Sequence, residues 1–315
     1  MTRVLVTGAN GFVGRFVCAA LAAQGNQVIA AVRIPSQVSG MATVQAGPGT
    51  SLARLTSAVR GADAVIHLAA VVHDMNARIT DAEYGLVNCD YPLLLARAAV
   101  AAAVPRFVFV SSVKVHGDST TVGSSLRESS PAAPRDAYAH SKWRAEEGLR
   151  AMSASTGLQT CCVRPPLIYG PSVRANFLRL MRWVRHGWPL PFAALHNARS
   201  LLYVENLADL LARLAVAPLS DLATTYLVAD NEDLSTPALV RAIATSLGVA
   251  PRLFALPEAL LRRGLATVGR ADLAERLLDS LCVDGSLVRR ELDWTPPWSV
   301  AEGLRRTADW YKGQA

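Results

Sequence analysis

The stretch VLVTGANGFVG, residues 4 to 14, decides the fold of this chain. An apolar run of strand composition, Arg3 to Thr7, leads directly into three glycines, Gly8, Gly11 and Gly14, that open a helix. The first glycine permits a tight turn, the second lets the backbone approach a pyrophosphate, and the third lets the helix pack closely on the strand. Phosphate would meet backbone N–H groups at the positive end of the helix dipole. The stretch predicts a dinucleotide-binding turn, with a plain strand-to-helix turn as the alternative.

Strands and helices alternate through the first half of the chain. Phe12 to Gln24 is predicted to be a helix, and Gln27 to Arg33 a second strand. Ala64 to Ala69 and Arg106 to Ser111 are further buried strands, each preceded by a helix rich in alanine and leucine. This alternation is typical of parallel strands joined by crossover helices. We expect an α/β fold with a doubly wound parallel sheet, the Rossmann arrangement, as a dinucleotide-binding domain over residues 1–165.

The regular alternation of predicted strands and helices ends after Arg164. Single helices now sit between irregular loops, and the alternation is broken by Pro165, Pro166, Pro171, Pro189 and Pro191. We expect a smaller C-terminal domain, mainly substrate-binding, over residues 166–315. Two strand-like segments, Ser200 to Asp209 and Thr225 to Ala229, predict that the chain rejoins the sheet within about 199–230.

Composition limits the classes of function. The chain has 315 residues, 51% of them hydrophobic and 18% charged, which favours a buried core over disorder. The longest apolar stretch, Leu93 to Val104, is interrupted by Arg97 and is shorter than the ~20 residues of a membrane span, so no membrane insertion is expected. A net charge of +7 suits nucleic acid, an anionic membrane surface or small anionic ligands. Since the arginines are scattered without a lysine-rich run, nucleotide ligands are expected and nucleic acid is not.

The cysteines and the N-terminal residues of the sequence indicate the cellular compartment. The five cysteines are scattered and lack any metal-ligand spacing, so we expect reduced thiols in the core and no metal site. Strand-like sequence from Arg3 onward leaves no room for a signal peptide. The expected location is cytoplasmic.

A tyrosine and a lysine stand four residues apart in DAYAHSKWRAEE, residues 136 to 147. On a helix, this spacing places Tyr138 and Lys142 on one face. A neighbouring ammonium, helped by an oxidised nicotinamide, lowers the pKa of a phenol from ~10 and makes it a proton donor or acceptor near neutrality. His140 is expected on the helix surface, and Asp136 and Glu128 as capping or loop carboxylates.

Two serines, Ser111 and Ser112, end the buried strand that begins at Arg106. Ligands bind beyond the carboxyl ends of parallel strands, so Ser112 is placed to hydrogen-bond the oxygen that Tyr138 protonates. Serines at strand ends also simply begin turns. The two serines, with the glycine turn and the Tyr/Lys pair in order along the chain, predict a catalytic site.

The second strand bears on the choice of cofactor. It reads VIAAVR and offers no carboxylate where an NAD-binding protein normally holds the ribose hydroxyls. Arg33 stands where a guanidinium can pair bidentately with a ribose 2′-phosphate, which favours NADP(H) and leaves NAD(H) possible. The alternative is that Arg33 is a solvated arginine at a strand end.

These motifs resemble those of the extended short-chain dehydrogenases/reductases, and more narrowly the NAD-dependent epimerase/dehydratase family that includes UDP-galactose 4-epimerase. Three further segments carry the likeness: Leu68-Ala69-Ala70 with Asn88, the stretch RPPLIYGP over residues 164–171, and RELDWTP over residues 290–296. The likeness covers essentially the whole chain. It implies catalysis by Ser112, Tyr138 and Lys142.

The resemblance also implies ligand contacts. Substrate would be bound by Ser112, Tyr138, Asn176 and Arg199, the last two at the diphosphate, unless their roles are structural. The expected cofactor contacts are Gly8, Gly11, Phe12, Val13, Gly14, Arg33, Leu68, Ala69, Ala70, Asn88, Ser111, Tyr138, Lys142 and Pro165.

The chain departs from the family pattern in three places. His116 replaces the usual tyrosine, and Leu167 a frequent asparagine, so the sugar pocket does not carry over in detail. Ser112 is followed by Val113 and Lys114, not by the Asp-Glu pair of the 4,6-dehydratases, which disfavours dehydration.

The resemblance implies NAD(P)-dependent oxidoreduction at C4 of a nucleotide-linked sugar, of UDP-hexose or UDP-N-acetylhexosamine type. Arg33 favours a 4-keto-sugar reductase. A UDP-sugar 4-epimerase is the alternative, and a non-catalytic NADP-binding sensor a third possibility. The resemblance further implies a homodimer that serves bacterial surface polysaccharide synthesis.

Overall fold

The computed structural model describes the chain over residues 1–34, 41–72, 79–218, 224–267, 269 and 271–314, with the side chains of 271 and 272 left out. Every site residue predicted above lies within these ranges. Their strands are β1 Arg3–Thr7, β2 Gln27–Val32, β3 Ala42–Gln45, β4 Ala64–His67, β5 Arg106–Val110, β6 Gln159–Arg164, β7 Leu167–Tyr169, β8 Arg199–Tyr203, β9 Thr225–Leu227 and β10 Asp233–Leu234.

The helices connect and cover these strands. They are α1 Phe12–Ala23, α2 Leu52–Val59, α3 Asp81–Gly85, α4 Tyr91–Ala101, α5 Ala137–Ser155, α6 Ala175–Arg185, α7 Val204–Val216, α8 Thr236–Leu247, α9 Glu258–Thr267, α10 Ala271–Leu278, α11 Ser286–Leu292 and α12 Val300–Lys312. A π-helical turn, Leu86–Asp90, joins α3 to α4, and a 3-10 turn, Val113–His116, follows β5. None of these helices is both long and apolar enough to cross a bilayer.

The larger sheet has seven strands in the described ranges, in the order β3-β2-β1-β4-β5-β6-β9. All of its pairings are parallel, which confirms the predicted doubly wound Rossmann arrangement. The carboxyl ends of β1, β4 and β5, which are neighbours in the sheet, therefore open on one edge. That edge carries the glycine turn, the residues after His67, and the two serines.

Side chains of β1 alternate between two cores, as expected for a strand covered on both faces. Val4 and Val6 pack with α1 and α7, whereas Leu5 packs with α2, α4 and α5. All five cysteines are buried thiols, as predicted.

The second half differs from the prediction at one strand. Of the two predicted segments, the second returns to the larger sheet as β9, whereas β8 in the first pairs with β7 and β10 in a separate three-stranded sheet. The predicted strand over 200–209 ends at Tyr203, where α7 begins. Leu207, Leu210, Leu211 and Leu214 recur at helical spacing and are fully buried, which accounts for the helix.

A second hydrophobic core surrounds the three-stranded sheet. Its buried side chains come from β7, β8, α6, α8 and α12, among them Tyr169, Phe177, Val240 and Leu304. We call the elements around this core the smaller lobe.

Candidate active site

The glycine turn between β1 and α1 is built for close backbone approach. Gly8 has φ +66°, and its carbonyl accepts a hydrogen bond from the Gly11 N–H at 2.9 Å. A Cβ on Gly14 would lie 2.1 Å from the Gly8 carbonyl oxygen, so a side chain there would force helix and turn apart. The N-cap residue of α1 is Gly11, which has no side chain to cap the helix, and the helix begins with Phe12 and Val13. Its first N–H groups can therefore receive the oxygens of a ligand phosphate.

A threonine that the sequence analysis did not single out holds the next loop against this turn. The Thr7 hydroxyl accepts hydrogen bonds from the Leu68 and Ala69 N–H groups, both at 3.2 Å, and lies 3.0 Å from Nδ1 of His67. Because this oxygen already accepts two bonds, its own hydrogen is directed to the histidine. Burial lowers the pKa of His67 to about 3, which keeps the ring neutral. A Cβ on Gly8 would lie 2.9 Å from the Ala69 nitrogen, so the two predicted cofactor segments are in contact.

Asn88 links this loop to the helix of the Tyr/Lys pair. Its Oδ1 accepts from the Val71 N–H and its Nδ2 donates to the Val71 carbonyl, both at 2.9 Å. The same amide donates to the Ser141 hydroxyl at 3.2 Å. Asn88 lies in the π-helical turn, a form often found at functional sites. It was predicted to contact the cofactor, and in the structure its side chain makes three hydrogen bonds that support the site.

The structure brings Ser112, Tyr138 and Lys142 together. Ser112 is buried at the start of the 3-10 turn, where its Oγ accepts a hydrogen bond from the Lys114 N–H at 3.2 Å. Tyr138 lies in the first turn of α5, with its ring edge-on to that of Tyr84, 6.2 Å between centroids. Lys142 follows one turn later, and its ammonium donates to the Val110 carbonyl at 2.9 Å, at the end of β5.

Burial governs the titration of these groups. It raises the pKa of Tyr138 to about 12, and a hydrogen bond with Ser112 acts in the opposite direction. Burial lowers the pKa of Lys142 to about 7, while the nearby Glu146 carboxylate raises it. The expected acidification of Tyr138 is therefore not a property of the ligand-free site, where desolvation exceeds any effect of the lysine. A cation bound in the cleft would favour the phenolate and so oppose the effect of burial on the pKa of Tyr138.

An ion pair joins the two chain segments that carry Ser112 and Tyr138. The Lys114 ammonium contacts the carboxylate of Asp136 and that of Asp118, the latter at 3.0 Å. Asp136 also caps α5, since its Oδ1 accepts from the Ala139 N–H at 2.7 Å. The capping role was predicted, but the ion pair was not.

A buried polar network lies behind Lys142. The Arg164 guanidinium, at the end of β6, donates to both carboxylate oxygens of Glu146, whose side chain is 0% exposed. Another nitrogen of Arg164 lies 2.8 Å from Nε2 of His116, and Nδ1 of His116 lies 3.1 Å from the Pro131 carbonyl. Since the arginine can only donate, the histidine is neutral with its proton on Nδ1. The histidine that replaces the family tyrosine thus supports Arg164.

Three further residues that were predicted to contact the cofactor lie outside the group of Ser112, Tyr138 and Lys142. Pro165 accepts a hydrogen bond from the Val113 N–H at 3.0 Å, next to Ser112. The Ser111 hydroxyl is buried and has no hydrogen-bond partner within the described residues, which makes it a candidate ligand contact. Arg33 is exposed just beyond β2.

The predicted diphosphate ligands both lie in the smaller lobe. Asn176 is half-buried in the first turn of α6. Arg199 begins β8, and its Nη1 donates to the carbonyls of Glu275 and Asp279, at 3.3 and 2.9 Å. His140 is exposed, as expected, and the loop carboxylate of Glu128 accepts from the Leu227 N–H at 2.9 Å.

The residues at the sheet edge fit a dinucleotide. The three glycines form a cradle that a Cβ would fill, uncapped N–H groups stand above it, and the unpartnered Ser111 hydroxyl lies farther along the same edge. A phosphate would be held by the turn and α1, and the reacting ring would lie toward Ser112, Tyr138 and Lys142.

Comparisons with known proteins agree with this arrangement. The model of the NAD dependent epimerase/dehydratase family matches residues 4–229. A UDP-glucose 4-epimerase of Vibrio cholerae is 33% identical over 311 residues, which cover 97% of this chain and 94% of that protein. The solved complex of MoeE5 with UDP-glucuronic acid and NAD has a TM-score of 0.80 at 23% identity, over 99% of this chain and 100% of that one. The UDP-N-acetylglucosamine 4-epimerase from Bacillus cereus gives 0.79 at 20% identity, over 99% and 97%. At these identities, the two structures show a shared fold.

Proposed function

This chain belongs to the NAD dependent epimerase/dehydratase family, and from that premise we propose that it exchanges hydride at C4 of a UDP-linked hexose or N-acetylhexosamine. The observation that carries the proposal is the grouping of Ser112, Tyr138 and Lys142 at the sheet edge that also bears the glycine turn.

Each member of the group has a distinct task in this proposal. A bound nicotinamide dinucleotide supplies or accepts the hydride. Tyr138 gives a proton to the sugar O4 or takes it away, and Ser112 hydrogen-bonds the same oxygen and fixes its direction. Lys142 in its ammonium form stabilises the phenolate. Uridine diphosphate would be held by Asn176 and Arg199, whose amide and forked guanidinium suit pyrophosphate oxygens.

A 4-epimerase, the alternative to the expected reductase, is one candidate form of this reaction. Its support is the relative named UDP-glucose 4-epimerase, which matches nearly the whole chain. An epimerase would use Tyr138 twice, first to remove the O4 proton and then to return it after the sugar has turned its other face to the cofactor.

A 4-keto-sugar reductase is the second candidate. Arg33 and the lack of a carboxylate on β2 favour NADP(H) as the cofactor. NADPH is the usual reductant of reductases, whereas an epimerase keeps its cofactor and does not consume it. Dehydration is disfavoured, since Val113 is buried and apolar and Lys114 is a cation held by two carboxylates.

One assay separates these candidates. The protein is mixed with one of three substrates, UDP-glucose, UDP-N-acetylglucosamine or a 4-keto UDP-sugar, and with either NAD(H) or NADP(H). The absorbance of the nicotinamide and the NMR spectrum of the sugar are then followed. Interconversion of gluco and galacto forms without net cofactor change supports the epimerase. Steady NADPH loss on the 4-keto sugar supports the reductase. Cofactor binding with neither reaction would overturn the proposal in favour of a sensor.

We propose NADP(H) as the preferred cofactor, with NAD(H) as the alternative that the NAD-bound MoeE5 structure supports. Arg33 is exposed at the carboxyl end of β2, next to the strand of the glycine turn. Arg33→Ala should weaken NADPH binding about tenfold, since a charged hydrogen bond contributes roughly 1.5–3 kcal/mol, and leave NADH binding unchanged. Tighter binding of NADH by the wild-type protein would contradict this preference.

The cytoplasmic location, the homodimer and the role in polysaccharide precursor synthesis remain expectations. Light scattering coupled to gel filtration tests the dimer, which a single-chain mass would contradict.

A further inference from the structure

Large apolar side chains are exposed together on the smaller lobe. Trp188 is 55% exposed and Phe254 46%. The segments that carry them run side by side, since the Leu190 N–H donates to the Arg252 carbonyl at 2.8 Å and the Phe254 N–H to the Leu190 carbonyl at 3.0 Å. Trp188 and Phe254 thus lie on neighbouring segments of the smaller lobe, and both are exposed.

The end of α6 determines how Trp188 is presented. Gly187 adopts φ +65°, the left-handed conformation that commonly ends a helix. The Trp188 N–H then donates back to the Trp183 carbonyl at 3.1 Å, and the two indoles stack with 6.3 Å between centroids. Trp188 is held in place by this stack while half of its surface faces solvent.

Exposed arginines stand on the same two segments as these rings. The inner face of α6 is buried in the smaller-lobe core through Phe177, Leu180, Met181 and Val184. Its outer face exposes Arg182 and Arg185 in the last turn. Arg252 is also exposed, and its Nε lies 3.7 Å from the position of a Cβ on Gly187. The guanidinium of Arg252 therefore lies against the end of α6.

Acidic side chains are absent from the segments that build this surface. The sequence has no Asp or Glu over residues 148–204 and none over residues 234–257. In the segments that follow, the carboxylates of Glu258 and Asp279 are both paired with Arg262 at 2.7 Å. The positive charge of the surface is thus not balanced by its own residues.

We propose that Arg182, Arg185, Trp188, Arg252 and Phe254 form a docking surface for an anionic lipid bilayer. Indole rings favour the boundary between headgroups and acyl chains, and each arginine near an anionic membrane contributes ~1 kcal/mol. Charge complementarity selects this occupant over a second copy, because a symmetric contact would oppose like charges. The protein would lie on the membrane through the end of α6 without inserting a helix.

The position of the surface leaves the active site open. Asn176, which is predicted to bind the substrate diphosphate, is in the first turn of α6, and Arg185 is the last residue of this helix. At 1.5 Å per residue, the two residues are about 14 Å apart along the helix. The proposal is independent of which sugar reaction the enzyme performs.

Vesicle sedimentation tests the proposal on the full chain. Phosphatidylglycerol/phosphatidylcholine vesicles should bind the wild-type protein at least about tenfold more tightly than phosphatidylcholine vesicles, in a salt-sensitive manner. Arg182→Glu/Arg185→Glu should lose at least about tenfold of that binding. The control Arg54→Glu/Arg60→Glu makes the same charge change at exposed arginines around α2 and should bind as the wild type does.

Two further measurements keep the proposal falsifiable. Unchanged cofactor binding by both double variants shows that they are folded. Emission from Trp188, taken as the difference from Trp188→Phe, should shift to shorter wavelength on anionic vesicles only. Equal losses in both double variants, equal binding to neutral vesicles, or binding to duplex DNA without binding to vesicles would overturn the proposal.

Discussion

The ammonium of Lys114 is paired with the carboxylate of Asp136. This contact ties the turn that begins at Ser112 to the cap of the helix that carries Tyr138. The ion pair therefore joins the two segments that carry the proposed catalytic side chains, and we expect it to help align them.

Lys114→Met should loosen that alignment. We expect kcat to fall about tenfold while the KM for the sugar changes little, because an interaction needed for orientation at the transition state is lost. Stability should change by only ~1 kcal/mol, since both side chains are partly exposed. The matched control is Lys312→Met, which removes the exposed pair with Asp309 on α12 and should leave kcat unaltered. Equal kcat in the two variants would refute the orienting role.

The buried pair of Arg164 and Glu146 should respond differently. Arg164→Met leaves a fully buried carboxylate without its cation and should lower the free energy of unfolding by ~3–5 kcal/mol. The double variant Glu146→Met/Arg164→Met removes both charges and should recover most of that loss. Urea unfolding measures both values. A double variant less stable than the single one would contradict the interpretation.

Lys142 should decrease stability in a pH-dependent way. The pKa of Lys142 is about 7 in the folded protein, against an ordinary value of 10.5. Between these two pH values the unfolded chain holds one proton more than the folded protein does. The free energy of unfolding therefore rises with pH in this range. Lys142→Met removes this penalty. The variant should exceed the wild type in unfolding free energy most clearly at or below about pH 7, and the gap should close toward about pH 10.5. A gap independent of pH in urea titrations would exclude this explanation.

Gly14 tests the glycine cradle. Gly14→Ala places a Cβ 2.1 Å from the Gly8 carbonyl oxygen, which should reduce cofactor affinity at least about tenfold and lower stability by ~1–3 kcal/mol. Gly157→Ala is the control, because within the described residues, its two chain neighbours apart, no heavy atom lies within 4 Å of its Cβ position. Calorimetric titration with each cofactor checks both variants, and undiminished affinity in Gly14→Ala would rule out close phosphate approach at this turn.

The sequence was sufficient where the signal is local. The glycine turn, the strand-end serines and the Tyr/Lys pair each lie within a few residues, so spacing alone predicts their placement. The supporting contacts join distant segments: Thr7 to the Leu68 and Ala69 amides, Lys114 to Asp136, and Arg164 to Glu146. These contacts depend on the register of the sheet and on the packing of α5, and neither can be predicted from a local sequence pattern.

Two elements show why the fold was only partly predictable. β3 is a four-residue edge strand with mostly exposed side chains, so it has no apolar run to detect. The apolar residues of β8 and α7 are continuous in sequence. Leu201 and Tyr203 of β8 pack in the second core, whereas the leucines of α7 pack against the larger sheet, so the change from strand to helix follows from packing rather than from a turn residue.

Turnover of Tyr138→Phe tests the central claim most directly. The variant keeps the ring and loses only the hydroxyl, so cofactor binding serves as its control for folding. With a UDP-sugar at saturation, we predict a loss in kcat of at least ~10²-fold, the lower end of what a positioned acid or base contributes. Turnover within a few-fold of the wild type, with cofactor binding intact, would contradict proton transfer by Tyr138.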